Sequence, residues 1–178
     1  MSFHLQRELD QLKKEILQLG GRVENATNNA ILALTDRREN LVQLVLEEEV
    51  LINQNEVIIE ENCLKILALH QPVAVDLRFI VVVLKVNNDL ERMGDLAVNI
   101  AKRAALLSSK DPIPFPVEFA ETLPSVIRAM VHNSLDALIK LDVEMAREVI
   151  AMDDIVDNIN RQMYASVQTL IENDNTTI

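Results

Sequence analysis

The sequence has no tryptophan, one cysteine, three glycines, and only four phenylalanines and one tyrosine among 178 residues. Strands favour aromatic and β-branched side chains, and the turns between strands favour glycine. The shortage of aromatics and glycine, in a chain that is 49% hydrophobic and rich in Leu, Ala, Ile, Val, Glu and Asn, points to helices. The single Cys63 excludes an internal disulfide framework and a cysteine-based zinc site. Long hydrophobic runs are also missing. The most apolar one, FIVVVL at Phe79–Leu84, is bounded by Arg78 and Lys85 and is too short to span a bilayer. No apolar segment follows a basic start, since MSFHLQRELDQLKKE is already amphipathic. The expectation is a soluble cytoplasmic protein without membrane insertion. Positive charge is scarce too: 17 Lys and Arg stand against 28 Asp and Glu, a net charge of −11. That disfavours nucleic acid, whose phosphates require clustered Lys and Arg, and it disfavours anionic membrane surfaces. Cations and basic protein surfaces remain as partners.

Turn signals divide the chain into five helical pieces. The first, about residues 4–35, carries Leu5, Leu9, Leu12, Ile16, Leu19, Val23, Ala26 and Ala30 at spacings of three and four, a one-sided apolar stripe. Gly20 and Gly21 lie within it and imply a kink or a close helix contact. The second piece, about 39–69, places Leu41, Leu44, Val45, Ile52, Ile59, Cys63 and Ile66 on a helical period and ends at His70-Gln71-Pro72. Pro72 suits the first turn of the next helix. The third piece spans about 73–108. SSKDPIPFP, residues 108–116, holds three prolines in five residues and reads as a linker. A fourth helix, about 117–141, begins under the influence of Pro124, and a fifth starts at Asp142, a good N-cap, and runs to about 172.

The pieces repeat. An offset of 104 residues lays Asn28–Asn53 over His132–Asp157, matching Asn29 with Asn133, Leu34 with Leu138, Val45 with Val149, Glu49 with Asp153 and Asn53 with Asp157. A helix pair occurring before and after a linker implies tandem three-helix bundles. The expected domains are 1–107, a linker at 108–116, and 117–178, the second repeat lacking its last helix.

One stretch of the third helix, NNDLERMGDLAVNI, sets Glu91, Asp95 and Asn99 four residues apart on a single face. Like charges so placed repel, more strongly where water is scarce. A facing Arg or Lys, open water or a bound cation would oppose that cost. Glu49 and Asn53 form a similar pair on the second helix, and Asp153 and Asp157 are their counterparts in the second repeat. An antiparallel hairpin would bring Glu49, Asn53, Glu91, Asp95 and Asn99 towards one patch. Carboxylate and amide oxygens suit hard cations such as Mg²⁺, Ca²⁺, Mn²⁺ or iron, and the absence of His and Cys from the stripe argues against zinc. The solvated acidic face is the plainer alternative. Catalytic machinery finds no support. The Glu-x-x-His motifs of di-iron carboxylate bundles are missing, because Leu67 and Ala129 stand three residues before His70 and His132. No P-loop, Gly-rich nucleotide turn or Gly-x-Ser-x-Gly occurs. The expectation is a protein that is not an enzyme.

LALHQPVAVDLRFIVVVLKVNNDLERMGDLAVNIAKRA, Leu67–Ala104, closely resembles the signature of PhoU proteins: a Gln-Pro turn, Ala-x-Asp-Leu-Arg, then Asp-Leu-Glu-Arg-x-Gly-Asp and Asn-Ile-Ala. The resemblance covers nearly the whole chain, including Asp153-Asp154-x-x-Asp157. It implies an all-α, PhoU-like pair of three-helix bundles binding metal ions (iron, zinc, manganese or magnesium, divalent or trivalent) through paired acidic motifs. It also implies negative regulation of high-affinity phosphate uptake and of the phosphate-starvation response. The implied partners are the ATPase of the phosphate ABC transporter and the phosphate sensor histidine kinase. Glu91 with Asp95, and Asp153 with Asp157, match the family motif. Glu49 matches conservatively, and Asn53 replaces the usual Asp and removes one charge. The family's second Glu-Arg-x-Gly-Asp helix is absent from this chain. The alternative function is a metal-binding or storage bundle without a signalling partner. The uncovered apolar stripes of the fourth and fifth helices imply a homodimer.

Overall fold

The computed structural model describes residues 3–111 and 118–173. Five α-helices make up almost all of it: α1 (Phe3–Thr35), α2 (Glu39–His70), α3 (Ala74–Ser108), α4 (Leu123–Lys140) and α5 (Val143–Asn173). There is no strand among the described residues. The chain divides into two units, Met1–Asp111 and Pro112–Ile178. The division falls within the proline-rich stretch, and residues 112–116 of that expected linker lie outside the described residues.

In the first unit α1, α2 and α3 all pack on one another. The eight stripe residues of α1 are buried, and Ile16, Leu19, Val23 and Ala30 have no exposed surface. They meet Val45, Ile52, Ile59, Cys63 and Ile66 of α2 and Phe79, Ile80, Val83 and Leu90 of α3, all buried. Each large aliphatic side chain so enclosed contributes about 1.5–3 kcal/mol. Leu44, placed on the same stripe by its spacing, is instead 44% exposed. Burial also sets the chemistry of Cys63: removed from water, with Glu15 and Glu60 nearby, its thiol is pushed up to about 12.

The helix ends follow local chemistry. α2 stops where Gln71 turns left-handed and donates its N–H to the Leu67 carbonyl. Pro72 stands in the turn, buried, two residues ahead of α3 rather than within its first turn. The α1–α2 turn carries a left-handed Arg37, whose guanidinium reaches the Leu107 and Ser108 carbonyls at 2.9 and 2.7 Å and that of Lys110. A cation there opposes the negative end of the α3 dipole and partners its otherwise orphan carbonyls.

Gly20 and Gly21 do not interrupt α1, which runs through them as one helix. Gly20 is buried, but a Cβ placed on Gly21 would meet nothing within 4 Å. At Gly21 the expected close contact is therefore absent.

In the second unit the chain makes a π-helical turn, Glu118–Thr122, before α4 begins with Pro124 in its first turn. Proline has no N–H to donate, and its ring collides with the carbonyl four residues back. The wider turn relieves both conflicts. α4 ends at a left-handed Leu141, with Asp142 N–H bonded to the Ala137 carbonyl at 2.9 Å. The Asp142 carboxylate then caps α5 through the N–H of Met145 at 3.1 Å. The sequence repeat is visible in the backbone: the same offset of 104 residues carries α5 onto α2 and left-handed Leu141 onto left-handed Arg37. Buried Val149 and Ala137 correspond likewise to buried Val45 and Ala33. With two helices the core is thin. Leu135, Ala137, Val149 and Ile159 are its buried side chains among the described residues, while Ile150 and Ile155 are exposed.

Candidate metal centre

The acidic stripe of α3 lies beside a close approach of α2 and α3. Gly94 stands between Glu91 and Asp95, and a Cβ there would sit 3.1 and 3.2 Å from Cδ1 and Cγ2 of buried Ile52. Two turns earlier, buried Asn87 donates its Nδ2 to the Glu56 carbonyl at 2.9 Å. These two contacts fix an antiparallel register. Glu91, midway between Gly94 and Asn87, faces the part of α2 midway between Ile52 and Glu56. Glycine allows the close approach because only it leaves the space that Ile52 fills.

The α2 edge that meets α3 carries Glu49, Asn53, Glu56 and Glu60 at spacings of four, three and four. Glu56 reports the crowding directly. Its carboxyl is held above the usual range, first by burial and then by the charges of Glu60 and Glu91. The charge of Glu91 on α3 thus acts on Glu56 of α2 across the helix pair, as repulsion. Glu56 was not among the residues singled out from sequence. Its signal was present, seven residues after Glu49 on the same helix face.

Of the expected residues, Glu49 and Glu91 are half-buried, while Asn53, Asp95 and Asn99 are exposed. No salt bridge joins Glu49, Glu91 or Asp95 to a Lys or Arg among the described residues. Arg92, next to Glu91, leans instead towards Asp89 at 4.0 Å, and both are largely exposed. The like charges are thus opposed by water or by a cation, and not by a basic partner. Among the described residues, no three His, Cys, Asp or Glu side chains converge on one metal position. The donors are hard oxygens along a shared edge, which fits a hard cation chemically, but their side chains must turn inwards to share one. Asp153 and Asp157 are exposed on α5, in the other unit, and Arg161 Nε bonds the Asp157 backbone carbonyl at 3.2 Å.

The comparisons with known proteins agree with this architecture. The PhoU domain family model matches residues 16–104 and 122–177. A phosphate-specific transport system accessory protein PhoU homolog of Aquifex aeolicus is 34% identical over 94% of this chain and 76% of its own length. Its counterpart in Pseudomonas aeruginosa is 39% identical over 84% of this chain, which spans 62% of that relative's length. The crystal structure of PhoU from Pseudomonas aeruginosa superposes with a TM-score of 0.90 at 35% identity, covering 96% of this chain and 82% of that one. Three-helix packing, the repeated helix pair and the Glu-Arg-x-Gly-Asp approach of α3 to α2 thus occur together with a family match over most of the sequence. The chain belongs to the PhoU family.

Proposed function

We propose that the protein is an accessory regulator of phosphate transport, acting as a metal-binding adaptor between proteins and not as an enzyme. The observation that supports the regulatory role is the family match over both repeats, with relatives named as phosphate-specific transport system accessory proteins. The adaptor works in the cytoplasm, where it represses uptake through the ATPase of the phosphate ABC transporter and quiets starvation signalling through the phosphate sensor histidine kinase. No described helix is long and apolar enough to cross a membrane. The chain associates as a homodimer through the apolar side chains that α4 and α5 leave exposed.

Glu49, Asn53, Glu56, Glu91, Asp95 and Asn99 hold a hard cation along the α2–α3 edge, and Asp153 with Asp157 contribute a second, weaker site. The support is like charge without a basic partner, beside a close contact between the two helices. A bound cation would neutralise the edge and fix the separation of the two helices there. The test is thermal unfolding with and without Mn²⁺ or Fe³⁺. Binding to the folded state alone raises the melting temperature by mass action. Glu91→Gln combined with Asp95→Asn removes the gain. A double variant that is more stable and equally indifferent to metal would leave only a solvated acidic face. Regulation is tested separately, by phosphate uptake in cells lacking the gene and complemented with the intact or the double-variant protein.

A further inference from the structure

The outward face of α2 has a pattern that the metal edge does not explain. Leu44, Leu51 and Ile58 form a row seven residues apart, and all three are exposed. Val50, Val57 and Leu64 form a second such row, at 54%, 50% and 54% exposure. Between the rows, three residues from each, runs a third made of Glu47, Gln54 and Glu61, also exposed. A helix in a three-helix bundle needs one apolar stripe, and α2 already has one in Val45, Ile52, Ile59, Cys63 and Ile66. The neighbouring α1 has only Phe3 and Leu17 as large exposed apolar side chains, and α3 exposes Val75, Leu77, Val81, Val82, Leu96 and Leu106 without the two seven-residue rows of α2. Six exposed aliphatics in two parallel rows on one helix, with Leu69 exposed beyond them, mark a surface that another molecule covers.

The charge on the helix indicates the occupant. α2 carries seven glutamates and a single lysine, Lys65, with no arginine. We infer that the outer face of α2 docks a protein groove with aliphatic walls and an arginine- or lysine-bearing floor. The two aliphatic rows lie against the walls while Glu47 and Glu61 pair with the floor. A second copy of α2 fits poorly, because it would bring glutamate rows together, and like charges across an interface are repulsive. The inference takes the adaptor reading as its starting point and names one of its contact surfaces. It does not require a bound metal.

The probe is a helical-hairpin peptide with leucines on both facing flanks and arginines between them, beside a copy with glutamate in place of arginine. Fluorescence anisotropy with the intact chain should show binding of the arginine peptide alone, weakening several-fold as salt rises from about 50 to about 300 mM. Val57→Ser with Leu64→Ser should loosen it by at least about tenfold, and Glu47→Gln with Glu61→Gln should remove much of the salt dependence. Leu17→Ser on α1 should leave it unchanged. All these positions are exposed or partly so, and far-UV circular dichroism confirms that each variant folds. Equal binding of the two peptides, indifference to the α2 substitutions, or no binding would overturn the proposal. So would sedimentation showing that Val57→Ser with Leu64→Ser abolishes self-association, since the occupant is then a second copy. Peptide binding by a protein that gains no stability from metal would sink the metal site and leave this face standing.

Discussion

Gly94→Ala adds one methyl group at a close contact between α2 and α3. Alanine favours the helix over glycine by about 1 kcal/mol. Against that, the new Cβ meets Ile52 at 3.1 and 3.2 Å, closer than carbon atoms ordinarily approach. Neither atom can swing clear without displacing its neighbours, because the Ile52 side chain has no exposed surface to move into. Overpacking of this kind costs about 1–3 kcal/mol, so the net expectation is a loss of about 1 kcal/mol. Urea denaturation followed by circular dichroism should show a lower midpoint with an unchanged slope. A double-mutant cycle sharpens the test. Ile52→Val alone costs about 1 kcal/mol, but it removes the nearer of the two clashing atoms. Gly94→Ala should then be nearly neutral in the valine background, a coupling of about 1 kcal/mol. Strictly additive effects, or a stabilised Gly94→Ala single variant, would refute the close approach and with it the register that places Glu91 against Glu56.

Further expectations follow from single sites. Gly21→Ala, where the added methyl meets nothing, should raise stability by about 0.5–1 kcal/mol in the same denaturation assay. Glu56 has a raised carboxyl pKa in the folded state, so the fold holds its proton more tightly than the unfolded chain does. Its contribution to stability is therefore greatest at acidic pH and is lost as pH rises through that raised value. Glu56→Gln should accordingly increase the melting temperature at neutral pH, with the gain vanishing below the ordinary carboxylate range. Cys63, buried with its thiol pushed up to about 12, should resist alkylation at pH 8 in the native protein and react fully once unfolded.

The helices were legible from spacing alone. Every residue that the apolar period of α1 placed on its stripe is buried, although buried Ala33 was not among them, and Asp142 announced the start of α5. The repeat offset found from aligned side chains also relates the helix ends and the left-handed turns. The exposure of Leu44 was not legible, because α2 is aliphatic on more than one face and period alone does not say which face is covered. The free space at Gly21 and the crowding at Gly94 were equally hidden, since a glycine pair and a lone glycine look alike until the neighbouring helix is placed. For the candidate centre, sequence identified the acidic residues on both helices. It missed Glu56, whose part depends on the α2–α3 register set by Gly94 and Asn87.

The guanidinium of Arg37 gives the end of α3 a property that helix ends usually lack. Terminal turns fray at almost no free-energy cost, and their amides exchange with solvent long before the core opens. Here the Leu107 and Ser108 carbonyls are held by a side chain from the turn between α1 and α2, about seventy residues earlier in the chain. Loosening the last turn of α3 therefore means disturbing the α1–α2 turn as well. Amide protons at this boundary should exchange on the timescale of the three-helix unit as a whole. The point where the chain leaves that unit is thus part of its cooperative core and not a soft margin.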